Sequence, residues 1–457
     1  MSNETAFDAA YKLLNRSIIR YQNEPIGTVA AIQSSSLVAV NYAECFVRDF
    51  VPSAFVFLMQ GETDIVRNFL KTVLTLSAQQ PVMRGHDRAM GLMPASFKVI
   101  KDIDNKDRII ADFGERAIGR VAPVDSAMWW MILLRVYVVT TGDQALAHSP
   151  EFQQGMRQIL QLYLKESFET SPAMLVPDGS FMIDRRMGVA GHPLEIQSLF
   201  YGMLHAAQDL LIANKENETL LATAKYRMQT LLSYVRFYYW LDIKRLNEIH
   251  RFGSEEFGPD AKNLHNIYPE TIPDWIDGWL PEGMGYFIGN LGPGRMDFRL
   301  FSSGNLLAVM FGLATEEQAE QIMQLYDHHW DDLIGNMPLK LVYPALTGKE
   351  WSMMTGCDPK NVAWSYHNGG NWPMLIWMFA GAAIRSGRDD LAKKAVSQAM
   401  QRLHQDEWAE YYDGKQGDLI GRRANLNQVW SATSLIVAND LIENPNSMVL
   451  SESLIFY

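Results

Sequence analysis

Apolar residues recur every three or four positions along most of this chain, a spacing that places them on one face of an α-helix. We predict about twelve helices from this pattern. Two local signals support their ends: Glu316 and Glu317 follow Thr315 as acids in a first turn, and Gly387 fits a stop before the next helix. The predicted helices cover residues 5–20, 52–60, 62–80, 123–141, 149–167, 193–213, 217–240, 302–313, 315–334, 372–386, 388–404 and 426–441.

Four connections between these helices are long and rich in Gly, Pro and aromatic residues, namely 81–122, 168–192, 241–300 and 337–371. Loops of this length are usually functional or contain short elements of their own. Helices joined in this way favour an all-α fold, an (α/α)6 barrel of inner and outer helices whose loops form a cleft over one end. A plain helical bundle is the alternative. Because no linker divides the chain, we predict a single domain over residues 1–457, although length alone would suggest about three.

Acidic residues outnumber basic ones, with 52 Asp and Glu against 40 Lys and Arg and a net charge of −12. Such a surface repels phosphate backbones, so we expect no nucleic-acid partner. It also offers no electrostatic attraction to an anionic membrane. A neutral, polyhydroxylated substrate would be indifferent to this charge. The many aromatic residues are compatible with a homo-oligomer.

The apolar runs are too short or too interrupted to span a bilayer; MWWMILL, for example, ends at Arg135. The first residues lack the basic start and apolar run of a signal peptide. The two cysteines, Cys45 and Cys357, are too few for a secreted domain held by disulfides. These features predict a cytoplasmic protein with no membrane association.

Several common kinds of site are missing from the sequence. It contains no phosphate-binding GxxxxGK[ST] loop, no strand–GxGxxG–helix unit, no HExxH and no GxSxG. The ten histidines are scattered, which argues against a zinc site. We therefore expect neither a metal nor a cofactor, and look for carboxylates among aromatic residues.

Asp184 lies in a predicted loop, after three apolar residues and before Arg185 and Arg186. An apolar setting would raise the pKa of its carboxyl group, and the arginines would lower it. A general acid for a glycosidic oxygen must be protonated at working pH, so burial would have to dominate. The alternative is a structural ion pair between Asp184 and one of these arginines.

Glu410 is flanked by Trp408, Tyr411 and Tyr412, the kind of aromatic wall that a sugar pocket needs. The nearby Asp413 and Gly414 form a turn signal. Taken alone, this motif is as compatible with a solvated helix end as with a catalytic carboxylate.

Other motifs place polar groups beside aromatic ones. Arg48 and Asp49 stand between Phe46 and Phe50, where they could grip neighbouring sugar hydroxyls or form a buried ion pair. Asp125 opens a helix that continues with Trp129 and Trp130, and a carboxylate there is also explained by the helix dipole.

Two further motifs stand before predicted helices. Glu195 and Gln197 follow His192 and point in different directions from one helix start. Tyr366 and His367 precede Trp372 in a loop; this grouping fits sugar recognition, although a lone histidine is more often a structural residue.

Read in order, these and other motifs resemble the alkaline/neutral invertases, a glycoside hydrolase family of plants and cyanobacteria. The resemblance runs from about residue 41 to about residue 437. It is carried by NYAECFVRDFVPSA (41–54), MPASFK (93–98), DFGERAIGRVAPVDS (112–126), MIDRRMG (182–188), PLEIQSLFY (193–201), IPDW (272–275), GYFIGN (285–290), MDFR (296–299), TGCDPKN (355–361), WSYHNGG (364–370) and EYYDGK (410–415).

The resemblance implies a metal-free (α/α)6 barrel that hydrolyses sucrose with inversion at the glucosyl carbon. It makes Asp184 the general acid and Glu410 the general base. An inverting pair stands roughly 6.5–9.5 Å apart, which leaves room for the attacking water. The residues that it implies for sugar binding, together with neighbouring aromatics, are Phe46, Arg48, Asp49, Asp125, Trp130, Glu195, Gln197, Tyr366 and His367.

Three other functions remain open at this point. The same barrel could cleave another glucoside such as trehalose, or act as a sugar epimerase, which usually needs paired histidines; His192, His205 and His367 are the candidates. A protein that binds sugar without turnover is the third. Product analysis on a panel of disaccharides separates them.

Overall fold

A computed structural model of the protein describes residues 5–32, 40–77, 82–84, 87–89, 91–115, 122–165, 172–176, 179–183, 185–250, 271–292, 295–419 and 424–444. Apolar side chains drawn from most of these ranges form one continuous core. Within them, no helix combines the length and apolar character needed to cross a membrane.

Among the described residues, every predicted helical segment contains an α-helix, and three short α-helices lie outside the predicted segments. The helices are α1 (Ala6–Arg16), α2 (Val47–Met59), α3 (Thr63–Leu76), α4 (Ser126–Thr141), α5 (Gln144–Ala147), α6 (Pro150–Tyr163), α7 (Leu194–Leu210), α8 (Glu218–Tyr238), α9 (Ile243–His250), α10 (Ser302–Met310), α11 (Glu316–His328), α12 (Trp330–Leu333), α13 (Gly348–Thr355), α14 (Ile376–Arg385), α15 (Asp389–Met400) and α16 (Val429–Glu443).

The predicted helix ends near residues 315 and 387 are confirmed. α11 begins at a capping box in which Thr315 and Gln318 satisfy each other's backbone N–H groups. Gly387, whose φ of +70° is left-handed, separates α14 from α15.

Six helices form a closed ring in which each packs against the next: α2, α4, α7, α10, α14 and α16, with α16 returning to α2. Their sequences are apolar on nearly every side, as in SAMWWMILLRVYVV of α4, which suits helices that are buried all round.

Helices with one apolar and one charged face surround the ring. α1 packs on α16, α3 on α2 and α4, α8 on α7, α11 on α14, and α15 on α14 and α16. α6 reaches α4 through the stacked rings of Phe152 and Trp130. The toroid of inner and outer helices therefore has its counterpart in the structure.

The prediction of an all-α fold is too narrow, because the chain also forms strands. Most lie in the four long connections, where short alternating stretches are hidden among Gly and Pro. The strands are β1 (Ile18–Tyr21), β2 (Glu24–Thr28), β3 (Cys45–Phe46), β4 (Val82–Arg84), β5 (Asp87–Ala89), β6 (Ser96–Lys101), β7 (Asp107–Asp112), β8 (Ala122–Pro123), β9 (Gly179–Ser180), β10 (His192–Pro193), β11 (Trp240–Asp242), β12 (Gly285–Gly292), β13 (Arg295–Phe301) and β14 (Val342–Tyr343).

These strands form small sheets rather than a second core. The order β3–β6–β7 is antiparallel, and so is the order β10–β12–β13–β14, with β11 also paired to β12. The long connections thus contain short elements of their own. Strands β10, β12 and β13 pack against the ring helices α7 and α10.

Candidate active site

The starts of the ring helices meet at one end of the ring. Arg48, in the first turn of α2, donates from Nη1 to Asp125 Oδ2 at the start of α4 over 2.6 Å. Ser303, in the first turn of α10, donates to Glu195 Oε2 in the first turn of α7 over 2.5 Å. Because helix N-termini carry partial positive charge, this end of the ring favours carboxylates.

Glu410 lies in a bend, and its charge interacts with Asp49 of α2. Its neighbour Tyr412 pairs with Asn371 in front of the 3₁₀ turn that leads into α14. The Glu410 backbone N–H donates to the Asn425 carbonyl over 2.8 Å, just before α16. The side chain is 3% exposed, so its orientation is set by protein contacts.

The Glu410 carboxylate is held by three donors among the described residues. Tyr42 donates its hydroxyl to Oε1 over 2.6 Å. Asn425 donates to Oε2 from its backbone N–H over 3.3 Å and from Nδ2 over 3.0 Å. A carboxylate offers about four acceptor positions, so these donors leave about one, on Oε1. Burial, followed by the charge of Glu410, raises the pKa of Tyr42 well above its usual range, so the phenol stays protonated.

The Asp49 carboxylate interacts with the charges of both Arg48 and Glu410. Its Oδ1 is 3.9 Å from Arg48 Nε. Burial raises the pKa of Asp49 to about 7, although the Arg48 charge opposes the shift; Glu410 and Asp125 add to it. A proton can therefore be held at this carboxyl near neutral pH.

Glu195 and Gln197, in the first turn of α7, both form hydrogen bonds with backbone groups. Glu195 Oε1 accepts the Met182 N–H over 3.0 Å, in addition to the Ser303 hydroxyl on Oε2. Burial raises the pKa of Glu195 to about 7, against the opposing effect of these two hydrogen bonds. Gln197 accepts from the Met174 N–H over 2.7 Å and donates to the Met174 and Pro193 carbonyls over 3.0 and 3.2 Å. Gln197 is fully buried.

A cluster of aromatic rings contains Tyr411, the residue that follows Glu410. The rings of Tyr366 and His367 stack at 3.8 Å, and Tyr366 lies 5.2 Å from the ring of Tyr411. Burial first, and then the charges of Lys360, Arg48 and Arg186, hold the pKa of His367 well below its usual range. His367 is therefore neutral and can both donate and accept hydrogen bonds.

Asp184 lies outside the described residues, so its distance from Glu410 remains a prediction. Arg186, one of its two proposed ion-pair partners, has Nη1 3.6 Å from Asp358 Oδ2. The flanking Ile183 is fully buried and Met182 nearly so. The segment that carries Asp184 thus enters a dry environment on its N-terminal side.

Two further predicted contacts are Trp130 and Phe46. Trp130 donates Nε1–H to the Leu70 carbonyl over 3.0 Å and stacks on Phe152 at 5.6 Å, so its contacts are with outer helices. Phe46 ends β3, paired with Ser96, and is half-buried. These partners favour a packing role for Trp130; its contact with sugar remains a prediction.

Sequence reasoning missed Tyr42, Asn425 and Ser303. Tyr42 lies within the NYAECFVRDF motif, so its position was available, but neither Asn425 nor Ser303 belongs to a recognisable pattern. Within the described ranges, no cluster of His, Cys, Asp and Glu could hold a metal ion.

Replacing Asp49 by Asn is expected to change the pH dependence of stability. The folded pKa of about 7 exceeds the ordinary value of 3.8, so between these values the folded protein binds more protons than the unfolded chain. This carboxyl therefore destabilises the fold as pH rises from about 4 to about 7, and adds no further change above that. The Tm of Asp49→Asn relative to wild type should increase by at least about 2 °C between pH 5 and pH 8.

Differential scanning calorimetry at both pH values measures this difference. The subtraction removes the similar contribution of Glu195, which both proteins share. A Tm difference that is the same at pH 5 and pH 8 would contradict the raised pKa of Asp49.

A ring of apolar helices surrounded by outer helices is a fold that also occurs among glycoside hydrolases. Solved structures share the fold. A bacterial glucoamylase complexed with acarbose matches with a TM-score of 0.57 at 11% identity, over 98% of this chain and 57% of that one. A GH63 mannosylglycerate hydrolase from Thermus thermophilus matches with a TM-score of 0.57 at 12% identity, over 94% of this chain and 99% of the other.

The chain belongs to the alkaline and neutral invertase family, whose profile matches residues 10–445. The alkaline/neutral invertase CINV2 of Arabidopsis thaliana is 48% identical over 96% of this chain and 78% of its own length. Cytosolic invertase 1 of Oryza sativa is 48% identical over the same shares of the two chains. Other relatives are named mitochondrial or chloroplastic, so the family occurs in several compartments.

Proposed function

We propose that this protein hydrolyses sucrose to glucose and fructose by single displacement, with Asp184 as general acid and Glu410 as general base. The observation that carries the proposal is the Glu410 carboxylate, buried, held by Tyr42 and Asn425, and left with one acceptor position on Oε1. Membership of the invertase family supports the choice of substrate.

The reaction needs one proton donor and one proton acceptor. Asp184 donates its proton to the fructosyl oxygen as the glycosidic bond breaks. A water on the opposite face of the glucosyl ring attacks the anomeric carbon and gives a proton to Oε1 of Glu410. General acid–base help of this kind contributes roughly 10²- to 10⁴-fold to rate.

Sugar hydroxyls would be held by the charged group at the helix starts. Arg48 can donate, while Asp49 and Asp125 can accept, and the neutral His367 can do either. Phe46 and Tyr366 would supply apolar surface for the sugar ring. No cofactor or metal takes part in this scheme.

The wider proposals concern fold and location. The ring of α2, α4, α7, α10, α14 and α16, with its outer helices, supports an (α/α)6 barrel within a single catalytic domain over residues 1–457. The relative named cytosolic supports a cytoplasmic location. A small neutral sugar is the proposed partner, with no nucleic acid or membrane, and the many aromatic residues are compatible with a homo-oligomer.

Incubation with sucrose tests the function. Free glucose and fructose should appear in equal amounts, at a rate unchanged by a chelator. Proton NMR in the first minutes should show β-glucose, because sucrose carries an α-glucosyl unit that one displacement inverts. Initial α-glucose would mean a retaining mechanism with the carboxylates about 5–5.5 Å apart. Cleavage of trehalose but not sucrose would refute the substrate, and loss of activity in chelator would refute the metal-free scheme.

A further inference from the structure

The Glu195 carboxylate is buried and hydrogen-bonded on both of its oxygens. The residue is 1% exposed, and each oxygen already accepts one hydrogen bond, Oε1 from the Met182 N–H over 3.0 Å and Oε2 from the Ser303 hydroxyl over 2.5 Å. Its two partners belong to the protein, and one of them is backbone. This arrangement is that of a residue which fixes other parts of the fold.

The backbone that Glu195 fixes is the acid loop, defined as residues 179–183 and 185–188 on the two sides of Asp184. Met182 stands two positions before Asp184, and its N–H is the donor to Glu195. Upstream, β9 pairs in parallel with β8, and the Ser180 carbonyl accepts the Val124 N–H over 3.0 Å.

The C-terminal end of the acid loop, at Gly188, packs closely against the backbone of α13. Gly188 has a φ of +64°, and a Cβ there would lie 2.6 Å from the Met354 carbonyl oxygen on α13. The loop therefore has close backbone contacts at both ends, and the Glu195 bond lies between them.

Gln197, two residues after Glu195 on α7, holds the backbone of a neighbouring segment in the same way. It bonds both the N–H and the carbonyl of Met174. Two side chains from one helix start therefore hold two segments of the connection 168–192. Since α7 packs between α4 and α10 in the ring, it is a rigid support for both.

We propose that Glu195 is a positioning residue, which holds the acid loop through Met182 so that Asp184 faces the leaving oxygen, and that it does not contact the sugar. The inference rests on the proposed role of Asp184 as general acid. A proton donor works only within hydrogen-bond reach of the leaving oxygen, and a displacement of about 1 Å can cost about 10²-fold in rate.

Glu195→Ala should therefore lower kcat for sucrose by about 10²-fold while KM changes by less than about threefold. With α-glucosyl fluoride, whose leaving group needs little protonation, the loss should be less than about fivefold. A residue that bound the sugar would instead raise KM, and would slow both substrates equally. The loss of rate on sucrose divided by the loss on α-glucosyl fluoride therefore distinguishes a positioning role from sugar binding.

Glu195→Gln keeps a carbonyl oxygen for the Met182 N–H, and its amide can donate to the Ser303 hydroxyl oxygen. It should retain at least about a third of kcat on sucrose, and it decides the question if the alanine variant does not fold. Ser198→Ala is the matched control, because Ser198 is equally buried on α7 but bonds the Gly304 carbonyl. Its kinetics should equal those of wild type.

Asp184→Asn is measured alongside. Wild type that fails to cleave sucrose, or Asp184→Asn that cleaves it normally, would refute the proposed function. The positioning role is overturned separately, if Asp184 proves essential while Glu195→Ala or Glu195→Gln slows both substrates equally or raises KM more than about tenfold.

Discussion

Glu410→Gln should lower kcat for sucrose by about 10³-fold, because the attacking water loses its proton acceptor. KM should change little, since the change removes an interaction made mainly in the transition state. Glu407→Gln is the matched control: it is the same substitution three residues earlier, at an exposed position. Initial rates of glucose release measure both variants.

Azide provides the positive test of the base. It attacks the anomeric carbon without giving up a proton, so it should partly restore turnover of Glu410→Gln and yield β-glucosyl azide. Recovery of the α-azide, or no azide product with an unaltered fold, would contradict the role of Glu410.

The structure also predicts a cost in stability for this variant. With the carboxamide oxygen toward Tyr42, the new NH₂ group faces the two donors of Asn425. Donors that face each other in a buried site cost about 1–3 kcal/mol. A thermal unfolding curve should accompany the kinetics, so that lost activity is not confused with unfolding.

The helices could be predicted from sequence because their apolar spacing is local. The predicted start of the helix α2 was wrong by five residues. The apolar spacing predicts a helix over residues 52–60. The structure begins α2 at Val47 and keeps Pro52 inside it. The earlier start puts Arg48 and Asp49 in the first turn, from which Arg48 donates to Asp125.

The strands and the supports of the site were harder to predict. β6 and β7 pair in register from Ser96–Asp112 to Lys101–Asp107, but each has only six residues in a connection rich in turn formers. Tyr42 and Glu410 are 368 positions apart, so no local pattern joins them. Only the closure of the ring, with α16 against α2, brings their segments together.

The acid and the base should fail in different ways, which makes Asp184→Asn the sharpest test of the division of labour. Sucrose hydrolysis should fall by about 10³-fold, because the fructosyl oxygen is a poor leaving group unless it is protonated. The nearly isosteric change should leave the protein folded.

α-Glucosyl fluoride separates the two roles. Its leaving group departs with little help, so Asp184→Asn should keep a substantial part of the wild-type rate on this donor, and azide should not change that rate much. Glu410→Gln should be nearly inactive on the fluoride until azide is added, because the missing base is needed whatever group leaves. Equal losses for both variants on both donors would contradict the assignment, since neither carboxylate would then be tied to the leaving group. An Asp184→Asn protein rescued by azide on the fluoride, beside a Glu410→Gln protein that needs no rescue, would mean that the roles are reversed.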